Sequence, residues 1–159
     1  MHRRNSLRLF GYDYAQEGAY FITICTYKKM PIFGAVKNRD VELNQSGIIA
    51  KDQWLYLPEI FDHIVLDDFI IMPDHMHGII IKTSGEIQTD LNEKKISHAT
   101  SSISRIVGAF KTLSAKKINL IYNNPGNIIW QRSFYDRIIR NETELLSIRK
   151  YIQENPFQN

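Results

Sequence analysis

Cysteine is almost absent from this chain: Cys25 is the single one among 159 residues. No disulfide can close within the chain and no multi-cysteine metal knuckle can be assembled, so a reducing setting fits and a structural zinc protein ranks last. Cys25 lies in an apolar run, where a small buried thiol is the ordinary explanation. Long hydrophobic runs are missing too. The most apolar stretch, residues 66–81, is broken by Asp67, Asp68, Pro73, Asp74 and two histidines, which excludes a helix crossing a bilayer there. The first ten residues are basic, and no long apolar segment follows them. No secretory leader is therefore expected, and a cytoplasmic location is. No glycine-rich phosphate loop, internal repeat or interdomain linker is apparent. Neither charge sign dominates: the net charge is +3, which permits an anionic partner without demanding one. With 43% hydrophobic and 23% charged residues, residues 1–159 suit one globular domain, with residues 1–14 as a basic arm.

The remaining pattern alternates strands and helices. Residues 19–26 (AYFITICT) are rich in aromatic and β-branched side chains and predict a strand. Residues 28–38 turn through Pro31 and Gly34, and 41–43 form a short strand. Asn44 caps a helix over 45–60, which Pro58 should terminate or distort. Residues 63–72 predict a long strand, Pro73-Asp74 an interruption, and 75–82 a further strand. Residues 83–100 are polar, without periodicity, and predict a loop. Apolar residues at 103, 106, 107, 110, 113, 118 and 121 give a helix over 101–122. Residues 128–139 read as extended with a bend at Arg132-Ser133, and Asn141 caps a last helix over 142–155, ended by Pro156. This is an α+β pattern: an antiparallel sheet of four or five strands with packed helices, ferredoxin-like by preference.

Two features carry chemistry. In His75-Met76-His77, alternate strand residues share a face, so both imidazoles project together and Met76 points into the core. Two imidazoles can hold one divalent metal, but a ligand set needs a third member. The pattern alone leaves two solvent-facing histidines as the commoner outcome. On the last helix, Tyr151 and Asn155 are four apart and share a face. A phenol can act as a nucleophile and an amide oxygen as a hard metal ligand. The plain alternative is a tyrosine at the rim of a packed helix and an asparagine ending it. Basic residues are candidates for phosphate contact: Arg3, Arg4 and Arg8 on the arm, Arg105 and Lys111 on the central helix. Trp130, Gln131 and Arg132 are candidates for base or phosphate contact, with Trp130 equally suited to the core.

The segments MPDHMHGIII, WQRSFYDRIIRNE and KYIQENP occur in this order after RLFGYDY and GAYFITICT. Together they resemble the Y1, single-tyrosine HUH transposase family of IS200/IS605 type, and more closely its REP-associated tyrosine transposases, over nearly the whole chain. The resemblance implies the HUH nuclease fold, with the metal-binding histidine pair on His75 and His77 and the nucleophile on Tyr151. Asn155 would complete the metal site, with Mg²⁺ or Mn²⁺ as cofactor. It implies nicking of single-stranded DNA at hairpin-bearing sites through a 5′-phosphotyrosine, then strand transfer by another 3′-OH. Asp74 departs from the subgroup, which often has Asn there. The chain ends three residues after Pro156, so further C-terminal DNA-binding elements of some relatives are expected to be missing. A monomer is favoured, with a homodimer as the other possibility. Tyr135 is the rival nucleophile, but its strand would hold it fixed, whereas Tyr151 rides a terminal helix that can shift. Competing readings are a domesticated hairpin-DNA binder that no longer cleaves, and a replicative or conjugative nickase, against which the short length argues.

Overall fold

The run after residue 17 alternates inward and outward side chains, and in the computed structural model, which describes residues 18–83 and 101–158, it becomes β1 (Gly18–Cys25). The order continues with β2 (Gly34–Lys37), β3 (Asp40–Leu43), α1 (Gln45–Ile60), β4 (Ile64–Ile71), β5 (His75–Lys82), α2 (Ile103–Ile121), β6 (Tyr135–Ile139) and α3 (Glu142–Glu154). A short 3-10 turn, Tyr27–Lys29, follows β1, and another, Asn155–Gln158, follows α3. The main sheet has the order β4-β5-β1-β6 with every neighbour antiparallel. With β2, β3 and α3 set aside, that order with the succession β1-α1-β4-β5-α2-β6 is the ferredoxin-like arrangement expected. The 1–14 arm and nearly all of the 83–100 loop lie outside the described residues.

Local chemistry explains most boundaries. Asn44 accepts a hydrogen bond from the Gly47 amide at 3.0 Å, starting α1 as its sequence predicts. Pro58 does not stop the helix at once. It lies in the last turn, where its missing N–H deprives only one carbonyl, and α1 runs on to Ile60 before Phe61 caps it through Leu57. The β2–β3 hairpin was only half expected. Its turn, Asn38-Arg39, has φ of 52° and 62°, the double left-handed geometry of a tight hairpin, without the glycine that usually advertises it. β6 begins later than the extended reading suggests: the Gln131 N–H donates to the Cys25 carbonyl and the Tyr27 N–H to the Ile129 carbonyl, both at 2.9 Å, at the end of β1, while Lys111 donates to the Gln131 and Ser133 carbonyls at 2.6 and 3.1 Å.

The two faces of the main sheet differ. Tyr20, Ile22 and Ile24 of β1, with Met76 and Ile80 of β5, form the large core with α1 and α2, including Trp54 and Phe110. Gly78 belongs to this face. A Cβ there would lie 2.4 Å from the Trp54 ring, so glycine lets the indole lie against the strand. On the other face Ile79 and Ile139 form a smaller cluster with Ile148 and Ile152 of α3. In β4 the register slips between Leu66 and Phe69, an extra residue forming a bulge at Asp67-Asp68.

Candidate active site

The side chains opposite the main core are where the chemistry gathers. His75 pairs across the sheet with Cys25 and His77 with Thr23, on the face that α3 covers. The two imidazoles lie 4.8 Å apart, while Met76 between them is fully buried in the opposite core. His77 is only 5% exposed and stacks on Phe21 at 5.4 Å. Burial, then the nearby His75 and Lys29 charges, push its pKa down to about 3, so the ring is neutral at physiological pH. Its Nδ1 lies 2.8 Å from the Thr23 hydroxyl. His75 Nδ1 lies 2.6 Å from Asp74 Oδ1. A carboxylate only accepts, so Nδ1 carries the hydrogen, and in the neutral ring Nε2 keeps its lone pair for an outside group. The Asp74 contact gives the residue that departs from the resembled subgroup a definite role.

Tyr151 comes to the same place. Its ring is 5.3 Å from that of His77 and 6.2 Å from that of Phe21, and it is 41% exposed. Tyr135, the rival, lines from β6 a cavity that Phe21, Thr23, His77 and Tyr151 also line. Asn155 lies one helical turn beyond Tyr151. It is buried, and its Oδ1 has no hydrogen-bond partner. A buried, unpartnered amide oxygen is costly and suggests a missing group. Among the described residues no three His, Cys, Asp or Glu side chains cluster as a metal site. An amide oxygen is a donor of the type hard divalent cations take, and the orphaned Asn155 amide is such a donor on the element that carries Tyr151.

Sequence reasoning missed what holds α3 in place. The two carboxylates of the β4 bulge both face it. Arg149 donates from Nε and Nη2 to Asp67 at 2.7 and 2.6 Å, and Gln153 donates to Asp68 at 2.8 Å. The Arg149 hydrogen bonds hold the Asp67 carboxyl below the usual carboxylate range. Paired aspartates inside an apolar strand were the available signal. Lys29 was missed as well. It lines the cavity beside His77, and both it and Lys28 have left-handed φ, 55° and 54°.

The candidate DNA contacts scatter. Arg3, Arg4 and Arg8 lie outside the described residues. Arg105 is exposed, but on α2, across the sheet from Tyr151. The Lys111 ammonium donates to the two carbonyls named above and so braces the 131–133 segment. Arg132 is exposed, and its segment is joined to β1 by the Thr26–Trp130 bridge. Trp130 is a core residue, 6% exposed, its indole N–H donating to Ser114.

No family model matches the chain. Its fold is that of a REP-associated tyrosine transposase solved bound to a REP hairpin. The TM-score is 0.66 and the identity 16%, over 94% of this chain and 73% of that one. A candidate transposase from Deinococcus radiodurans superposes at a TM-score of 0.49 with 18% identity, over 92% of this chain and 95% of that one, too loosely to argue from. A Haemophilus influenzae protein, itself described as uncharacterized, is 39% identical over 166 residues, covering 98% of this chain and 89% of its own length. The chain belongs to the family of that protein.

Proposed function

We propose that the chain nicks and rejoins single-stranded DNA beside hairpins, with Tyr151 as the nucleophile. The observation that carries this reading is the meeting, on one sheet face, of two imidazoles and Tyr151, with the orphaned Asn155 amide one turn further along the same helix. The fold shared with a hairpin-bound transposase supports it. His75, His77 and Asn155 would hold Mg²⁺ or Mn²⁺. When bound, the ion would supply charge neutralisation at the scissile phosphate. Asp74 and Thr23 orient the two rings. Lys29, which lines the cavity beside His77 and Tyr151, would receive a neighbouring phosphate.

In the proposed step the Tyr151 oxygen bonds to phosphorus and loses its proton to solvent. The P–O3′ bond breaks, and O3′ takes a proton and leaves as a hydroxyl. The 5′ phosphate stays on Tyr151, and attack by another 3′-OH rejoins a strand and restores the phenol. No nucleotide cofactor is required, because the phosphodiester energy is kept in the adduct. The test is incubation with pooled hairpin-bearing single strands and Mn²⁺, followed by peptide mapping of trapped protein–DNA adducts. The phosphate should map to Tyr151. Tyr151→Phe should bind without forming an adduct, and Tyr135→Phe should keep most of the rate. Adducts on Tyr135, or binding with no adduct at all, would overturn the assignment, the second outcome favouring a hairpin binder that no longer cleaves.

A further inference from the structure

α3 packs on Ile79 and Ile139 through Ile148 and Ile152 and leaves part of the β1–β6 half of the same sheet face uncovered. A cavity of about 530 Å³ lies there, within the usual range for a small-ligand site. Its floor is set by register. Phe21 pairs with Arg137 and Thr23 with Tyr135, so these four side chains stand in a rectangle on one face. Strand spacing makes that rectangle about 5 Å by 7 Å, the dimensions of a nucleobase plane. Phe21 and Tyr135, both half-buried, occupy opposite corners. Arg137 is 51% exposed, and its guanidinium is steadied by Glu144 at 2.5 Å. One wall is Tyr151 itself.

We propose that this floor is a stacking site for one unpaired base, that of a nucleotide flanking the phosphate presented to Tyr151. The inference rests on the DNA-strand reading of the site and deepens it. A phosphate at Tyr151 forces an adjoining nucleoside to within one nucleotide of the cavity it lines. The half-buried Tyr135 and Phe21 of the cavity floor offer aromatic surface, which accepts any base, and Arg137 a guanidinium for the next phosphate. The site selects for single strands because a paired base cannot reach the floor without leaving its stack.

The test is photo-cross-linking of the full chain, in chelator to prevent cleavage, with oligothymidylate carrying one 5-iodouracil, and mapping of the modified residue. Cross-links on Tyr135 or Phe21 are expected. Tyr135→Ala should weaken binding of the same oligothymidylate by about 5- to 100-fold, and Tyr135→Phe should leave it within about 2-fold. The mapping uses the unaltered chain, so it decides the matter even if Tyr135→Ala fails to fold. Binding with cross-links only on other elements overturns the stacking floor and leaves the nicking proposal standing. Failure of the unaltered chain to bind either oligothymidylate or the hairpin-bearing strands overturns both.

Discussion

The same chemical change, glycine to alanine, should act in opposite directions at Gly78 and Gly108. At Gly78 the new methyl would meet Trp54 Cζ2 at 2.4 Å, with Cε2 and Cη2 at 3.0 and 3.1 Å. The indole cannot swing away, since Trp54 is fully buried and held by Phe110 at 5.3 Å and Phe69 at 6.4 Å. Overpacking of this kind costs about 1–3 kcal/mol, and the absence of slack places this case near 3. For a domain of this size that is a fall in Tm of roughly 6–12 °C. Gly108 sits inside α2, and a methyl added there would meet nothing within 4 Å. Alanine there should stabilise by about 0.5–1 kcal/mol, the ordinary helix preference. Thermal and urea unfolding of the two variants measures both. Gly78→Ala should also impair nicking, because the displaced strand carries His77 one residue before. A neutral or stabilising Gly78→Ala, or equal signs at the two sites, would refute the packing argument.

The His77 pKa of about 3 lies below the unfolded value of 6.5, so between these the unfolded chain binds more protons. Stability is intact above about pH 6.5 and should fall as pH drops toward 3, by up to roughly 1.4 kcal/mol per pH unit. His77→Gln should flatten that slope in urea titrations across the range, and an unchanged slope would count against the buried neutral ring. Asp67→Asn should loosen α3 and lower the nicking kcat more than it weakens DNA binding. Arg149→Lys should retain little of that orientation, since one ammonium cannot span both carboxylate oxygens; full activity in both variants would remove the tether from the mechanism. Asp74→Asn should weaken Mn²⁺ affinity about 10- to 100-fold by calorimetry, because an amide no longer fixes the His75 tautomer as a carboxylate does. Equal affinity would make Asp74 a bystander.

The main strands and helices were legible from strong local signals: aromatic and β-branched content in residues 19–26, and a period near 3.6 in the central helix. The ferredoxin-like order followed, and the histidine pair fell on one face because period two leaves no alternative. Less was visible where a contact distant in sequence decides the outcome. The Lys111 ammonium reads as a surface charge until the 131–133 carbonyls are seen around it. The β2–β3 hairpin was obscured because asparagine and arginine take left-handed φ there without glycine. The Asp67-Asp68 bulge shows in the sequence only as polarity in an apolar strand. Its partners, Arg149 and Gln153, are more than eighty residues away.

That distant pairing also bears on why Tyr151 sits on α3. The helix buries little: Ile148 and Ile152 are its buried side chains, against a small cluster. Apolar burial alone would hold it weakly and without fixed orientation, since the hydrophobic effect has no direction. The Arg149 fork and the Gln153 amide add direction, fixing the rotation that turns Tyr151 toward His77. Polar tethers at a partly exposed rim can break and reform without dismantling a core, unlike the packing around Trp54 on the other face. Under the proposed function, a nucleophile that carries a covalent strand and then admits a second one would need this combination of set orientation and shallow attachment. The two faces of the sheet therefore differ: α1 and α2 cover one, and the other is thinly covered, with a cavity beside Tyr151 that the proposed strand would enter.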